Sequence, residues 1–194
     1  MKIDPELKKL LNPTKSVLLV WDVQNNLVNR IFNRENFLVK ITELILKARE
    51  NQVQIIFSKS TPLPEKFVPE SRKYLVKTIF KNMRPSTNDP NGMELAIEPE
   101  GDDLVIPKSS ASIFIGTNFE MLLRNAGITT IIFTGIATEM GVESSARDAS
   151  NRGLFPVIVT DAVSSFIQET HERSLENLKS MMTLLESDDL ISLW

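Results

Sequence analysis

A chain of 194 residues with 42% apolar and 24% charged residues is long enough to bury a sizeable core as one domain over 1–194. A formal net charge of −3 gives no reason to expect a nucleic-acid partner, and no run of about 18 apolar residues marks a membrane span. The chain has no cysteine and one histidine, His171, which excludes disulfides, a thiolate metal site, a thiol nucleophile and a cluster of several histidine ligands.

In chain order, residues 1–15 with Pro5 and Pro13 read as a polar arm or short helix, and Met1-Lys2-Ile3-Asp4-Pro5-Glu6 lacks the apolar core of a signal peptide, so a cytoplasmic location is expected. Ser16-Val17-Leu18-Leu19-Val20-Trp21-Asp22 is an apolar run ending in a carboxylate, the pattern of a strand covered on both faces. Gln24-Asn25-Asn26 begins a polar loop. Phe37, Leu38, Ile41, Leu44, Ile45 and Ala48 recur at helical spacing over about 35–50, and Val53–Ser58 is a second strand.

Residues 59–101 hold six prolines and a short helix around 71–80, too long for a plain connection, and suggest a lid or binding loop. Lys66, Arg72, Lys73, Lys77, Lys81 and Arg84 face a single acid there, Glu70. This is either a solvated helix face or a collar for an anionic substrate.

Asp103–Lys108 is a third strand. Thr117 with Glu120 reads as a capping box opening a helix that stops at Gly127. Thr129–Thr134 is a fourth strand, followed by a tight turn and a helix from Gly141 to Arg152. Such a corner exposes backbone N–H groups where negative charge is favoured. Phe155–Thr160 is a fifth strand, Asp161-Ala162-Val163-Ser164 opens a loop, Thr170 caps a helix from His171 to Leu185, and Leu190–Trp194 is a sixth strand. His171 reads as a surface or cap-region residue.

Alternating strands and helices imply an α/β fold: a three-layer α/β/α sandwich around a mainly parallel, roughly six-stranded sheet. Ligands of such sheets sit beyond the carboxyl ends of the strands, where Asp22, Lys108 and the turn Gly135–Gly141 fall. A carboxylate and an ammonium there perturb one another's pKa and share proton-transfer work. Singly, Asp22 reads as a cap for the next element and Lys108 as an exposed strand-end charge. Trp21 and Phe114 are read either as pocket lining or as core.

As a set, these residues resemble the isochorismatase-like hydrolase superfamily, the nicotinamidase-type cysteine hydrolases. The resemblance rests on Val20-Trp21-Asp22-Val23-Gln24, on Gly101–Lys108, on Phe114-Ile115-Gly116-Thr117, on Thr134-Gly135-Ile136-Ala137-Thr138 with Gly141–Ala149, and on Asp161-Ala162. It implies Asp22 as acid/base, Lys108 as its charged partner, a nucleophilic cysteine at position 141, a cis peptide at Ile136-Ala137, and an oxyanion hole from the N–H groups of Ala137 and Gly141. Gln24, Phe114, Arg72 and Arg84 are the candidate substrate contacts.

Gly141 departs from that pattern and rules out covalent thiol chemistry. Ser58-Lys59-Ser60-Thr61-Pro62 lacks the histidine of the metal-bearing branch, so no catalytic metal or other cofactor is expected. The true isochorismatases also carry glycine at this place. Their likeness implies vinyl-ether hydrolysis without a covalent intermediate, Asp22 acting as general acid on isochorismate or a similar small anion. Ala137-Thr138 and Val142-Glu143-Ser144 look instead like the amidase branch, and with the missing nucleophile they support the alternative of a non-catalytic metabolite-binding or scaffold protein. Ser144 or Ser145 as a substitute nucleophile is the weakest reading. A homodimer or homotetramer is expected from the resemblance.

Overall fold

The computed structural model describes residues 4–79 and 89–194. Six parallel strands form one sheet: β1 (Ser16–Trp21), β2 (Gln54–Ser60), β3 (Leu104–Lys108), β4 (Thr130–Ile136), β5 (Phe155–Ser164) and β6 (Thr183–Leu185), in the order β3-β2-β1-β4-β5-β6. The chain winds outward from β1 to β3, then crosses back to lay β4 on the other side of β1. β1 and β4 therefore flank the point where strand order reverses, the place where open α/β sheets bind ligands.

Side-chain alternation along β1 feeds two cores. Leu18 and Val20 pack with Phe37, Ile41 and Leu44 of α3 (Arg34–Glu50) on one face. Val17, Leu19 and Trp21 pack on the other with Phe119 and Leu123 of α5 (Phe119–Asn125), Ala146 and Ala149 of α6 (Glu143–Asn151) and Leu178 of α7 (Gln168–Lys179). Both faces are covered, so β1 is buried along its whole length, as its unbroken apolar run requires. The arm is the short helix α1 (Pro5–Leu10), capped by Asp4, whose side chain accepts the Glu6 N–H at 2.9 Å.

Several sequence expectations are corrected. Gln24 precedes a one-turn helix, α2 (Asn25–Val28), rather than a loop. Asp161–Ser164 continues β5 instead of opening a loop, because Val163 and Ser164 still pair with Gly135 and Ile136 after a register shift. The last segment is not a strand. Leu190 and Leu193, three apart, bury one helical face of α8 (Ser187–Ile191) and its following turn. Asp161 fixes that helix's start by accepting the Ser187 N–H at 2.8 Å and hydroxyl at 2.6 Å. The sixth strand is the three-residue β6. Helix α7 starts at Gln168, ahead of Thr170, and ends at Lys179. No capping box forms at Thr117, since Glu120 turns outward to Arg124 and Arg152 at 2.6 and 3.0 Å. Within 59–101, α4 (Glu70–Thr78) matches the expected helix as far as the described residues reach.

Phe133 on β4 is fully buried between β1 and the α5–α7 layer. Phe133→Ala is expected to destabilise the fold by about 3–5 kcal/mol, read from urea unfolding.

Candidate active site

The register brings the site together. Trp21 pairs with Ser58 on β2 and Gly135 on β4, and Ser60 pairs with Lys108 on β3. Immediately after β1, Asp22 takes a left-handed backbone conformation, φ 47°, which aspartate tolerates better than most residues. Its carboxylate is buried with both oxygens engaged: Ser58 donates its hydroxyl to Oδ1 at 2.6 Å, and Lys108 Nζ donates to Oδ2 at 2.6 Å. Ser58 in turn accepts the Asp22 N–H at 3.1 Å. Lys108 is 7% exposed, gives a further bond to the Ser110 carbonyl at 3.2 Å, and lies 4.1 Å from the Trp21 ring centre. The ammonium is thus held by a carboxylate, a carbonyl and an aromatic face together.

The corner after β4 carries a cis peptide at Ile136-Ala137 and then a π-helical turn, Thr138–Val142, that runs into α6. Gly141 is buried inside this turn rather than at a helix mouth. A Cβ at position 141 would lie 2.1 Å from Trp21 Nε1, 2.3 Å from Cε2 and 2.5 Å from Cζ2. Gly135, at φ 105°, is constrained by the same residue: a Cβ there would lie 2.0 Å from the Trp21 carbonyl oxygen. Two glycines therefore make room for one tryptophan, the first for its backbone and the second for its indole.

A cavity of about 270 Å³ opens over these groups. Of the residues proposed from sequence, Asp22, Lys108, Gly141, Ala137 and Arg72 line it. Two others are placed elsewhere. The Gln24 carboxamide is occupied by backbone, donating to Met93 O at 2.7 Å and Ser60 O at 3.3 Å and accepting the Ser60 N–H at 2.9 Å. Phe114 stacks edge-on against Phe119, 5.2 Å between centres, with the Arg152 guanidinium 4.6 Å from its ring centre. Arg84 and Lys81 lie outside the described residues. Of the basic stretch, Lys73 pairs with Glu70 at 2.7 Å. Sequence reasoning missed Ser58, Ser60, Ser109, Ser110, Met140 and Phe166. For the serines the only signal was their position at the ends of β2 and β3. Among the described residues no three His, Cys, Asp or Glu side chains converge to hold a metal ion.

Burial pushes the Asp22 carboxyl above its ordinary value, against the opposing pull of the Lys108 charge and the hydrogen bonds from Lys108 and Ser58. His171 also corrects its sequence reading. It is 7% exposed, not a surface residue, with Nδ1 2.8 Å from Thr138 Oγ1. The Thr138 hydroxyl also lies 3.1 Å from the Ser164 carbonyl oxygen, which places it between the imidazole and the end of β5. Burial lowers the His171 pKa, outweighing Glu139 and Glu172. Ser145, once a candidate nucleophile, is buried with its hydroxyl oxygen accepting the Ile113 N–H at 3.2 Å.

Residues 16–189 match the isochorismatase domain family. A 73-residue stretch is 44% identical to the isochorismatase family protein YwoC of Bacillus subtilis, taking in 38% of this chain and 39% of YwoC, so the match spans less than half of that relative's length. Over 88% of this chain and 75% of the relative, 28% of residues are shared with the ureidoacrylate amidohydrolase RutB of Methylobacterium radiotolerans. A cysteine hydrolase from Pseudomonas syringae superposes with a TM-score of 0.81 at 20% identity, over 94% of this chain and 93% of that one, and shows the shared fold.

Because the folded state disfavours imidazolium at 171, the unfolded chain binds the proton more readily as pH falls through the ordinary histidine value of 6.5, and stability is lost on that side. Between about pH 7.5 and pH 5.5 the unfolding midpoint of the parent protein should fall more than that of His171→Gln.

Proposed function

The chain belongs to the isochorismatase family, and on that premise we propose that this family hydrolase works without a covalent thiol intermediate, on isochorismate or a comparable small anionic enol ether. The observation that carries the reading is the buried Asp22–Lys108 pair at 2.6 Å, facing a cavity whose nucleophile position is Gly141. Acid-assisted attack by water needs a proton donor, a cation to stabilise the donor's conjugate base, and no nucleophilic side chain.

In this reading protonated Asp22 delivers its proton to the methylene carbon of the enolpyruvyl group. The ether-bearing carbon becomes an oxocarbenium ion, water adds there, and the hemiketal collapses to pyruvate and the freed alcohol. The carboxylate left behind is stabilised by the Lys108 ammonium and the Ser58 hydroxyl until it is reprotonated. Burial, by raising the Asp22 pKa, favours the protonated form the first step requires. Arg72, at the cavity wall, is the candidate partner for a substrate carboxylate.

A second reading, a binding protein without turnover, is favoured by the same glycine and by similarity to an amidohydrolase whose family chemistry this chain lacks the thiol to perform. Pyruvate release from isochorismate separates the two. The hydrolase reading expects turnover and a loss of about a hundredfold or more in kcat/KM for Asp22→Asn. Absence of turnover by the parent protein favours the binding reading.

The pH profile supplies a further check. Activity that requires protonated Asp22 falls as pH rises through the raised Asp22 pKa. Ser58 pulls that pKa down, so Ser58→Ala should move the fall in kcat/KM to higher pH.

A further inference from the structure

We propose that Trp21 determines the reaction class of this site, because its indole occupies the volume that a nucleophilic side chain at position 141 would need. The proposal gives a packing cause for the glycine that the hydrolase reading takes as given, and its test does not use isochorismate.

The three atoms that a Cβ at 141 would meet, at 2.1–2.5 Å, all belong to the rigid bicyclic ring. No real Cβ contact is so short, and a tryptophan ring cannot yield by a terminal rotation as a lysine can. The ring is also fixed from other directions. Trp21 is 1% exposed and packs in the core with Val142 and Ala146. Its backbone is pressed against Gly135, and the Lys108 ammonium stands over its face at 4.1 Å. Swinging the indole away would therefore disturb the cation that partners Asp22.

The edge it presents is chemically specific. Indole Nε1–H is a donor only, and Trp21 lines the cavity beside Asp22, Lys108 and Gly141. Where a thiol would offer an electron pair to a substrate carbon, this site offers an N–H to a substrate oxygen. Thiol chemistry at this site accordingly requires two changes, one at 21 to vacate the space and one at 141 to fill it.

The test is a double-mutant cycle on the full chain. Gly141→Ala should lower the thermal midpoint by roughly 4–10 °C in the parent and leave it unchanged or raised in a Trp21→Val background. A cysteine pair adds a chemical readout, clean because the chain has no other cysteine. The thiol of Gly141→Cys should be alkylated by iodoacetamide about tenfold or more slowly than that of Trp21→Val/Gly141→Cys. If Gly141→Cys does not fold, the alanine cycle alone decides. An equal cost of Gly141→Ala in both backgrounds, or a Gly141→Cys variant as stable as the parent and as reactive as the double variant, overturns the proposal. Failure to hydrolyse isochorismate would count against the hydrolase reading and leave this result standing.

Discussion

The buried ion pair between Asp22 and Lys108 ties the site to the sheet. The two residues end strands that are not neighbours, with β2 between them, so the bond spans the sheet's carboxyl edge rather than following its ladder. Two charges taken out of water are costly unless each is fully partnered, and removing one alone strands the other. Here Ser58, at the end of the intervening strand, supplies the missing partner to Asp22, and the Ser110 carbonyl supplies one to Lys108. Three strand ends are thereby held in one arrangement by groups that also have the chemistry to move a proton.

Much of this was legible in sequence. The apolar run before Asp22 and the Gly135–Gly141 turn each stood at the end of a buried strand, and the run before Lys108 at the end of an edge strand whose Leu104 and Val105 are exposed. A parallel sheet has only one edge at which such ends can meet. Burial on both faces leaves a strong compositional mark, and that mark located β1, β2 and β4 to within two residues.

What escaped was information that becomes visible only across the fold. Leu190, Ile191 and Leu193 are apolar in any conformation, and it is Asp161, far off in sequence, that caps them into a helix. His171 lies among polar neighbours, yet Thr138 and Phe32 close over it, the latter with ring centres 5.3 Å apart. Gln24 and Phe114 occupy recognisable motif positions, but the motif does not say whether a side chain faces ligand or backbone. The meaning of Gly141 was least accessible of all. Its space is taken by a residue 120 positions earlier, and nothing local to the turn reports that.

The Gln24 carboxamide has a consequence of its own. By bonding Ser60 at the end of β2 and Met93 in the segment that also pairs with residues 23–26, it joins a strand that reaches the cavity to a segment outside the cavity lining. Displacing segment 91–96 would break the bond from the amide to Met93 O together with the backbone bonds that join the segment to Val23, Asn25 and Asn26. A glutamine outside the cavity lining thus ties α2, β2 and segment 91–96 together at one point, a role in holding the fold rather than in meeting a ligand.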